Sequence, residues 1–212
     1  MLDTTFLITA FVTMFVVIDP IGLAPLFVAL TQGRSPSSRQ RIALRACGIG
    51  MILLVLFAIL GESVLGFIGI SMPAFRVAGG ILLFITALDM LFERRTKRRE
   101  DQAEESEEDD SEDPSVFPLA IPLIAGPGAI ASIILLTGQR PGAEGMLMVL
   151  GITALVLLLC LGMFLASSLL ERALGKTGIT VVTRLLGMLL AALSVQFVLD
   201  GLSAFGFGPG AG

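Results

Sequence analysis

The sequence has no histidine, tryptophan or tyrosine, and only two of its 212 residues are cysteine. Without histidine there is no imidazole to act as the base of a serine protease. There is also no imidazole to relay protons, so any coupled proton must be carried by a carboxylate. A zinc hydrolase is disfavoured as well, because Cys47 and Cys160 are far apart in the chain. Both cysteines fall within or beside apolar stretches, so a structural disulfide is not expected.

Charge is also scarce: 15% of the residues are charged, whereas 55% are hydrophobic. The apolar residues come in long blocks rather than in an alternating pattern, which is typical of helices that face lipid. The blocks predict an all-α membrane protein with six transmembrane helices, over Leu7–Leu30, Ile42–Ile68, Pro73–Phe92, Val116–Leu136, Met146–Leu170 and Ile179–Phe205.

The basic residues predict how these helices are oriented. They cluster in three alternate loops, in the ranges 34–45, 94–99 and 172–176. Cytoplasmic loops carry the excess of Lys and Arg, so we expect these loops in the cytoplasm and both termini outside. The N-terminal stretch MLDTTFLITAF lacks the features of a signal peptide, so we expect the first span to be retained. The predicted location is the inner membrane of a bacterium.

The net charge of -4 comes mostly from one segment, EDQAEESEEDDSEDP at 100–114. Such an acidic run is typical of a solvated, disordered loop. It divides the chain into a first three-helix repeat at 1–92, a charged cytoplasmic loop at 93–115 and a second three-helix repeat at 116–212. No feature predicts a cofactor or a nucleic-acid partner, and the pattern leaves the oligomeric state open.

The two repeats are predicted from correspondences in the same order in both halves. Arg76 precedes Gly79 as Arg184 precedes Gly187, and Pro–Gly interruptions occur in the first and fourth spans. Because three helices are an odd number, the second copy must cross the membrane in the opposite sense. The result is an inverted-topology repeat, an architecture that many secondary transporters use for alternating access.

Charged residues at equivalent places in the two halves suggest structural pairs. Glu62 could reach Arg76, and Glu171 could reach Arg184. The alternative is that these charges merely sit among lipid headgroups.

The Pro–Gly interruptions predict helices broken near the middle of the membrane. The first lies in VVIDPIGLAP and the second in PLIAGPGAIAS. Unpaired backbone is tolerated at that depth only where it is buried in protein or lines a watery cavity, and a half-helix N-terminus suits an anion. We therefore expect a substrate site with two facing breaks, although ordinary proline kinks are the alternative. Its predicted residues are Asp19, Pro20, Gly22, Leu23, Gly126, Pro127 and Gly128.

Asp19 is the most informative of these residues. A carboxylate inside the membrane is by default a functional candidate, as a proton carrier or a partner for a cation. It also precedes Pro20, as a helix N-cap does, and the two roles are compatible. The sequence therefore predicts Asp19 as the coupling residue of a transport site.

At these residues the chain resembles the MarC family of integral membrane proteins. The resemblance rests on DPIGLAPLFVALT at 19–31, PLAIPLIAGPGAIAS at 118–132 and RVAGGILLFITALDML at 76–91. It implies six helices in two inverted repeats and a transport role, with neutral amino acids such as glycine and alanine as substrates and export as one direction. One departure is Leu23, where the family usually has asparagine.

The leading hypothesis is thus a secondary transporter of small neutral amino acids or similar zwitterions, coupled to protons through Asp19. No phosphate-binding GxxxxGK[ST] motif is present to support transport driven by ATP. A channel would need a continuous polar face along several helices, which the spans do not show. A channel or a structural membrane protein is the alternative, and an intramembrane enzyme is the least favoured class.

Overall fold

The computed structural model describes residues 4–95, 97–99 and 113–207, without the side chains at 168, 170–172 and 176. The described chain is helical, and most of the predicted acidic loop lies outside it. The helices are α1 (Thr4–Ile18), α2 (Pro20–Leu30), α3 (Pro36–Ile68), α4 (Met72–Leu91), α5 (Pro127–Gln139), α6 (Ala143–Leu165) and α7 (Ser167–Ala204). An irregular stretch, the proline segment (Ser115–Ile124), precedes α5.

The six predicted spans agree with these helices. Five stretches of the described chain are long and apolar enough to cross a membrane: α1 with α2, then α3, α4, α6 and the part of α7 from Thr177 to Ala204. The proline segment and α5 make a sixth crossing if counted together, with a bend of 53° between them. The all-helical, multi-pass architecture is therefore confirmed, while the inverted relation of the halves and the domain limits stay predictions.

The bundle is held together by close helix contacts at glycines. A Cβ atom on Gly80 would lie 2.8 Å from the carbonyl oxygen of Ser194, and one on Gly201 would lie 3.0 Å from that of Pro73. The helices α4 and α7 are therefore antiparallel and nearly in backbone contact, as small residues permit in membranes.

The helix α5 runs beside α3 in the same direction. A Cβ atom on Gly50 would meet Ile124, just before α5, and one on Gly61 would meet Ile134, each at 2.5 Å. This packing surrounds α5 with protein: Ile133, Leu135 and Leu136 have no exposed surface. At the two interruptions of the spans, Asp19 and Gly126 are buried.

Candidate functional site

The first interruption is a one-residue break at Asp19 between α1 and α2. Asp19 has left-handed backbone angles (φ 57°, ψ 62°), which aspartate adopts more readily than most residues. Its Oδ1 accepts a hydrogen bond from the amide of Gly22 at 3.1 Å, so it caps α2 as predicted. A Cβ atom on Gly22 would lie only 2.2 Å from Oδ2 of Asp19, so this cap requires glycine there.

Asp19 is neutralised by an arginine from the stretch that follows α4. Its Oδ2 accepts a hydrogen bond from Nη1 of Arg99 at 2.9 Å, and their side chains are 1% and 7% exposed. An isolated charge would be strongly penalised at such a position, whereas an ion pair with further hydrogen bonds is tolerated. Asp19 is therefore one half of a buried ion pair.

Arginines also complete the backbone hydrogen bonding at this break. Because a helix end leaves its last carbonyl groups without intrahelical partners, these oxygens need other donors. Arg95 donates to the carbonyl oxygen of Val17, and Arg99 donates to that of Ile18 at 3.4 Å. The end of α1 and the carboxylate of Asp19 are thus satisfied by the same two side chains.

The sequence alone does not predict this arrangement. The basic run 94–99 indicates a cytoplasmic loop, yet Arg95 and Arg99 fold back into the bundle. One signal points to them, because a buried carboxylate in a chain so poor in charge requires a cationic partner. This run is the densest group of cations in the same half.

The second interruption lies between the proline segment and α5. Phe117 and Ile121 have extended backbone angles, which divide the proline segment into short turns. The helix α5 then begins at Pro127 after Gly126, and no described side chain caps its N-terminus. Its first amide groups therefore keep hydrogen-bonding capacity and partial positive charge for another partner.

The two breaks are adjacent, and a cavity lies at the second break beside the end of α1. A Cβ atom on Gly128 would lie 3.2 Å from Cγ1 of Val17, which places the start of α5 beside the end of α1. The cavity has a volume of about 290 Å³, and its lining includes Asp89, Arg95, Arg98, Arg99 and Gly126 to Ala129. We call it the arginine cavity.

The charges around the arginine cavity do not cancel. Arg99 pairs with Asp19, and Arg98 pairs with Asp89 at 2.9 Å. Within the described residues, Arg95 has no carboxylate at ion-pair distance. Burial, and then the nearby charge of Arg99, lower the pKa of Arg95 to about 9, outside the spanning helices. It is therefore still protonated at neutral pH, and the described part of the chain supplies no ion-pair partner for this cationic charge.

The predicted site residues separate into two groups. Gly126, Pro127 and Gly128 line the arginine cavity. By contrast, Asp19, Pro20, Gly22 and Leu23 form the first break without lining the cavity, and Leu23 is fully buried. Asp19 therefore does not face the cavity directly. It contacts Arg99, and Arg99 lines the cavity.

One of the two suggested charge pairs falls on described side chains. The ion pairs found there do not join Glu62 to Arg76, and Nε of Arg76 is buried without a hydrogen-bond partner among the described residues. Arg184 donates to Glu93 at 2.6 Å. The side chain of Glu171 lies outside the described residues, so its pairing with Arg184 stays a prediction.

Comparisons with known proteins agree with the fold. The family model for MarC integral membrane proteins matches residues 4–205. A UPF0056 membrane protein of Archaeoglobus fulgidus is 37% identical over 94% of this chain and 93% of its own. The UPF0056 inner membrane protein YhgN of Escherichia coli K12 is 32% identical over 92% and 95%. No solved structure gives a significant match. With the family model covering nearly the whole chain, this protein belongs to the MarC family of integral membrane proteins.

Proposed function

We propose that the protein is a secondary transporter of small neutral amino acids or similar zwitterions. The observation that carries this proposal is the charge pattern of the arginine cavity. Among the described residues, Arg95 has no carboxylate at ion-pair distance and no side chain caps the N-terminus of α5, while Asp89 supplies a carboxylate in the same wall. An anionic group and a cationic group can therefore be bound together.

Each end of a zwitterion has a complementary group in this cavity. The carboxylate would be bound by Arg95 and by the first amides of α5, which together form an anion site. The ammonium group would be bound by Asp89, which is paired with the largely exposed Arg98. A volume of about 290 Å³ lies at the lower limit of ligand cavities, which favours a small solute such as glycine or alanine.

Alternating access of the two inverted repeats is the mechanism we propose, with export as one direction. Discontinuous helices at a repeat interface are the usual place for such a site. Proton coupling through Asp19 would then require Arg99 to leave the carboxylate during the cycle, because Nη1 of Arg99 is hydrogen-bonded to Oδ2 of Asp19. The proposed function involves no covalent chemistry and no cofactor.

We propose the bacterial inner membrane as the location, with both termini outside. The three basic loops support this orientation, and a relative from Escherichia coli is named an inner membrane protein. The arginine cavity would then lie toward the cytoplasmic side, since Arg95, Arg98 and Arg99 come from a predicted cytoplasmic loop.

Counterflow in proteoliposomes loaded with glycine or alanine tests the proposal. We expect saturable uptake by the native protein and its loss in Arg95→Gln, because the counterion for the carboxylate is removed. Arg184→Gln is the matched control, since Arg184 is half-exposed and pairs with Glu93 away from the cavity. Uptake that does not saturate would indicate a channel, and equal effects of both variants would contradict the assigned site.

Comparing Asp19→Asn with the native protein at imposed pH gradients tests the coupling separately. Proton coupling through this carboxylate predicts that counterflow loses its pH dependence in the variant. A pH dependence that persists would assign coupling to another group.

A further inference from the structure

A second polar cavity lies at the other end of α5. It has a volume of about 180 Å³, and its lining includes Glu62, Ser63, Thr137 and Gly142. The arginine cavity contacts the first residues of α5, whereas this one contacts Thr137 near its last residues. At 1.5 Å per residue, the 13 residues of α5 separate the two cavities by roughly 20 Å. We call the second one the Glu62 cavity.

Two hydroxyl groups between the cavities have no hydrogen-bond partner. The side chains of Thr13 in α1 and Ser132 in α5 are fully buried, and neither oxygen has a partner among the described residues. Five other hydroxyls in or beside the spans behave differently, because they donate to the carbonyl oxygen three or four residues before them. These are Thr31, Thr86, Thr137, Thr153 and Ser194.

Helix register places Thr13 and Ser132 on the same interface. The end of α1 at Val17 lies beside Gly128, and Arg140 lies over the ring of Phe6 at 5.1 Å, so α1 and α5 are antiparallel. Thr13 is one turn before Val17, and Ser132 is one turn after Gly128. Residues four apart share a helix face, so both hydroxyls lie at the α1–α5 interface, one turn beyond the breaks.

Unpaired hydroxyls are costly in this setting. A buried polar group without a partner costs about 1–3 kcal/mol, and a serine or threonine in a helix can avoid that cost by bonding to its own backbone. Thr13 and Ser132 have not done so. Their oxygens therefore remain available for a partner that the described residues do not supply.

We propose that Thr13 and Ser132 line the closed middle of a substrate path between the arginine cavity and the Glu62 cavity. There they would hydrogen-bond the carboxylate or ammonium group of a small zwitterion as it passes along α5. The inference rests on the proposed transport function and adds the route and two specificity-determining residues. It also gives Glu62 a place at the far end of the path, where a carboxylate suits the ammonium group.

Thiol accessibility tests the path without assuming which substrate is carried. The S132C variant would be treated with a small hydrophilic methanethiosulfonate, with T153C as the matched control and the parent protein as background. Thr153 is equally buried, but its hydroxyl donates to Val149. We expect S132C to react at least about tenfold faster than T153C, because a thiol kept from water stays inert. Glycine or alanine should slow that reaction.

The outcomes separate the path from the substrate. If S132C reacts as slowly as T153C, the path is overturned even where counterflow of glycine is observed. If S132C reacts quickly but neither amino acid slows it, the path is supported and the substrate class proposed above is wrong.

A second pair of variants tests the hydroxyls themselves. T13V should lose counterflow without lowering the unfolding temperature, because it removes an unpaired hydroxyl of no structural value, and T13S should retain counterflow. A lower unfolding temperature in T13V, or counterflow equal to that of the parent, would overturn the role of Thr13.

Discussion

The ion pair between Asp19 and Arg99 at the first break can be tested by removing the charge of Asp19 while keeping its role as a helix cap. Asp19→Asn keeps an oxygen that can cap α2, and asparagine tolerates the left-handed backbone of this position. What the substitution removes is the counterion of Arg99, which remains buried with 7% of its side chain exposed. The variant therefore isolates the ion pair.

The expected magnitude follows from the burial of both partners. Removing one member of a buried ion pair typically costs about 3–5 kcal/mol, because the other charge is left without compensation. We therefore expect Asp19→Asn and Arg99→Met each to lower the free energy of unfolding by about 3 kcal/mol. In the double variant, neither member of this ion pair is left as an uncompensated buried charge. Its loss in free energy of unfolding should therefore be smaller than the sum of the two single losses by about 2 kcal/mol.

Unfolding by sodium dodecyl sulfate in mixed micelles, followed by circular dichroism, measures these differences. Arg184→Met serves as the control, because its ion pair with Glu93 is half-exposed and exposed pairs contribute little. Additive losses in the double variant would refute the reasoning, because they would mean that Asp19 and Arg99 do not interact in the folded protein.

Three further predictions concern the backbone and one surface group. Gly22→Ala should lower stability and the fraction of correctly folded protein, because its methyl group would overlap the carboxylate of Asp19. Gly80→Ala should lower the unfolding temperature, whereas Gly48→Ala should not, because only Gly80 lies against the backbone of α7. Partial burial acts to raise the pKa of Asp113, but hydrogen bonds from Ser115 and nearby arginines outweigh it and lower that pKa below 3.8. The ionised group therefore stabilises the fold above pH 3.8, and the stability difference between native protein and Asp113→Asn should shrink as the pH falls below that value. Thermal unfolding checks all three.

The helices and their interruptions follow from local sequence. Lipid exposure demands long apolar runs, and proline lacks the amide that would continue a helix, so both signals are readable within a few residues. The positions of Pro20 and Pro127 at the starts of α2 and α5 confirm that interpretation. The capping of α2 by Asp19 is equally local, since donor and acceptor are three residues apart.

The arginine cavity depends on contacts that are distant in sequence. Arg99 is 80 residues from Asp19, and Arg95 is 78 from Val17. Basic residues after a span are commonly explained by membrane orientation. That explanation gives no hint that two of them also contact the first break. The contact of Arg184 with Glu93 is hidden from the sequence for a similar reason, because the two residues are 91 apart and Glu93 lies outside the proposed repeat correspondence.

The two breaks have similar sequences but differ in whether their polar groups already have hydrogen-bond partners. This difference is the strongest argument for where a ligand binds. At the first break, Asp19 caps α2 while Arg95 and Arg99 satisfy the end of α1. Little hydrogen-bonding capacity is left there for a ligand. At the second break, no described side chain caps α5, and its N-terminus faces the cavity in which Arg95 has no described carboxylate at ion-pair distance. An anionic group bound there would satisfy both, so we propose that the second break is the binding element and that the first is the scaffold that holds Arg95 toward it.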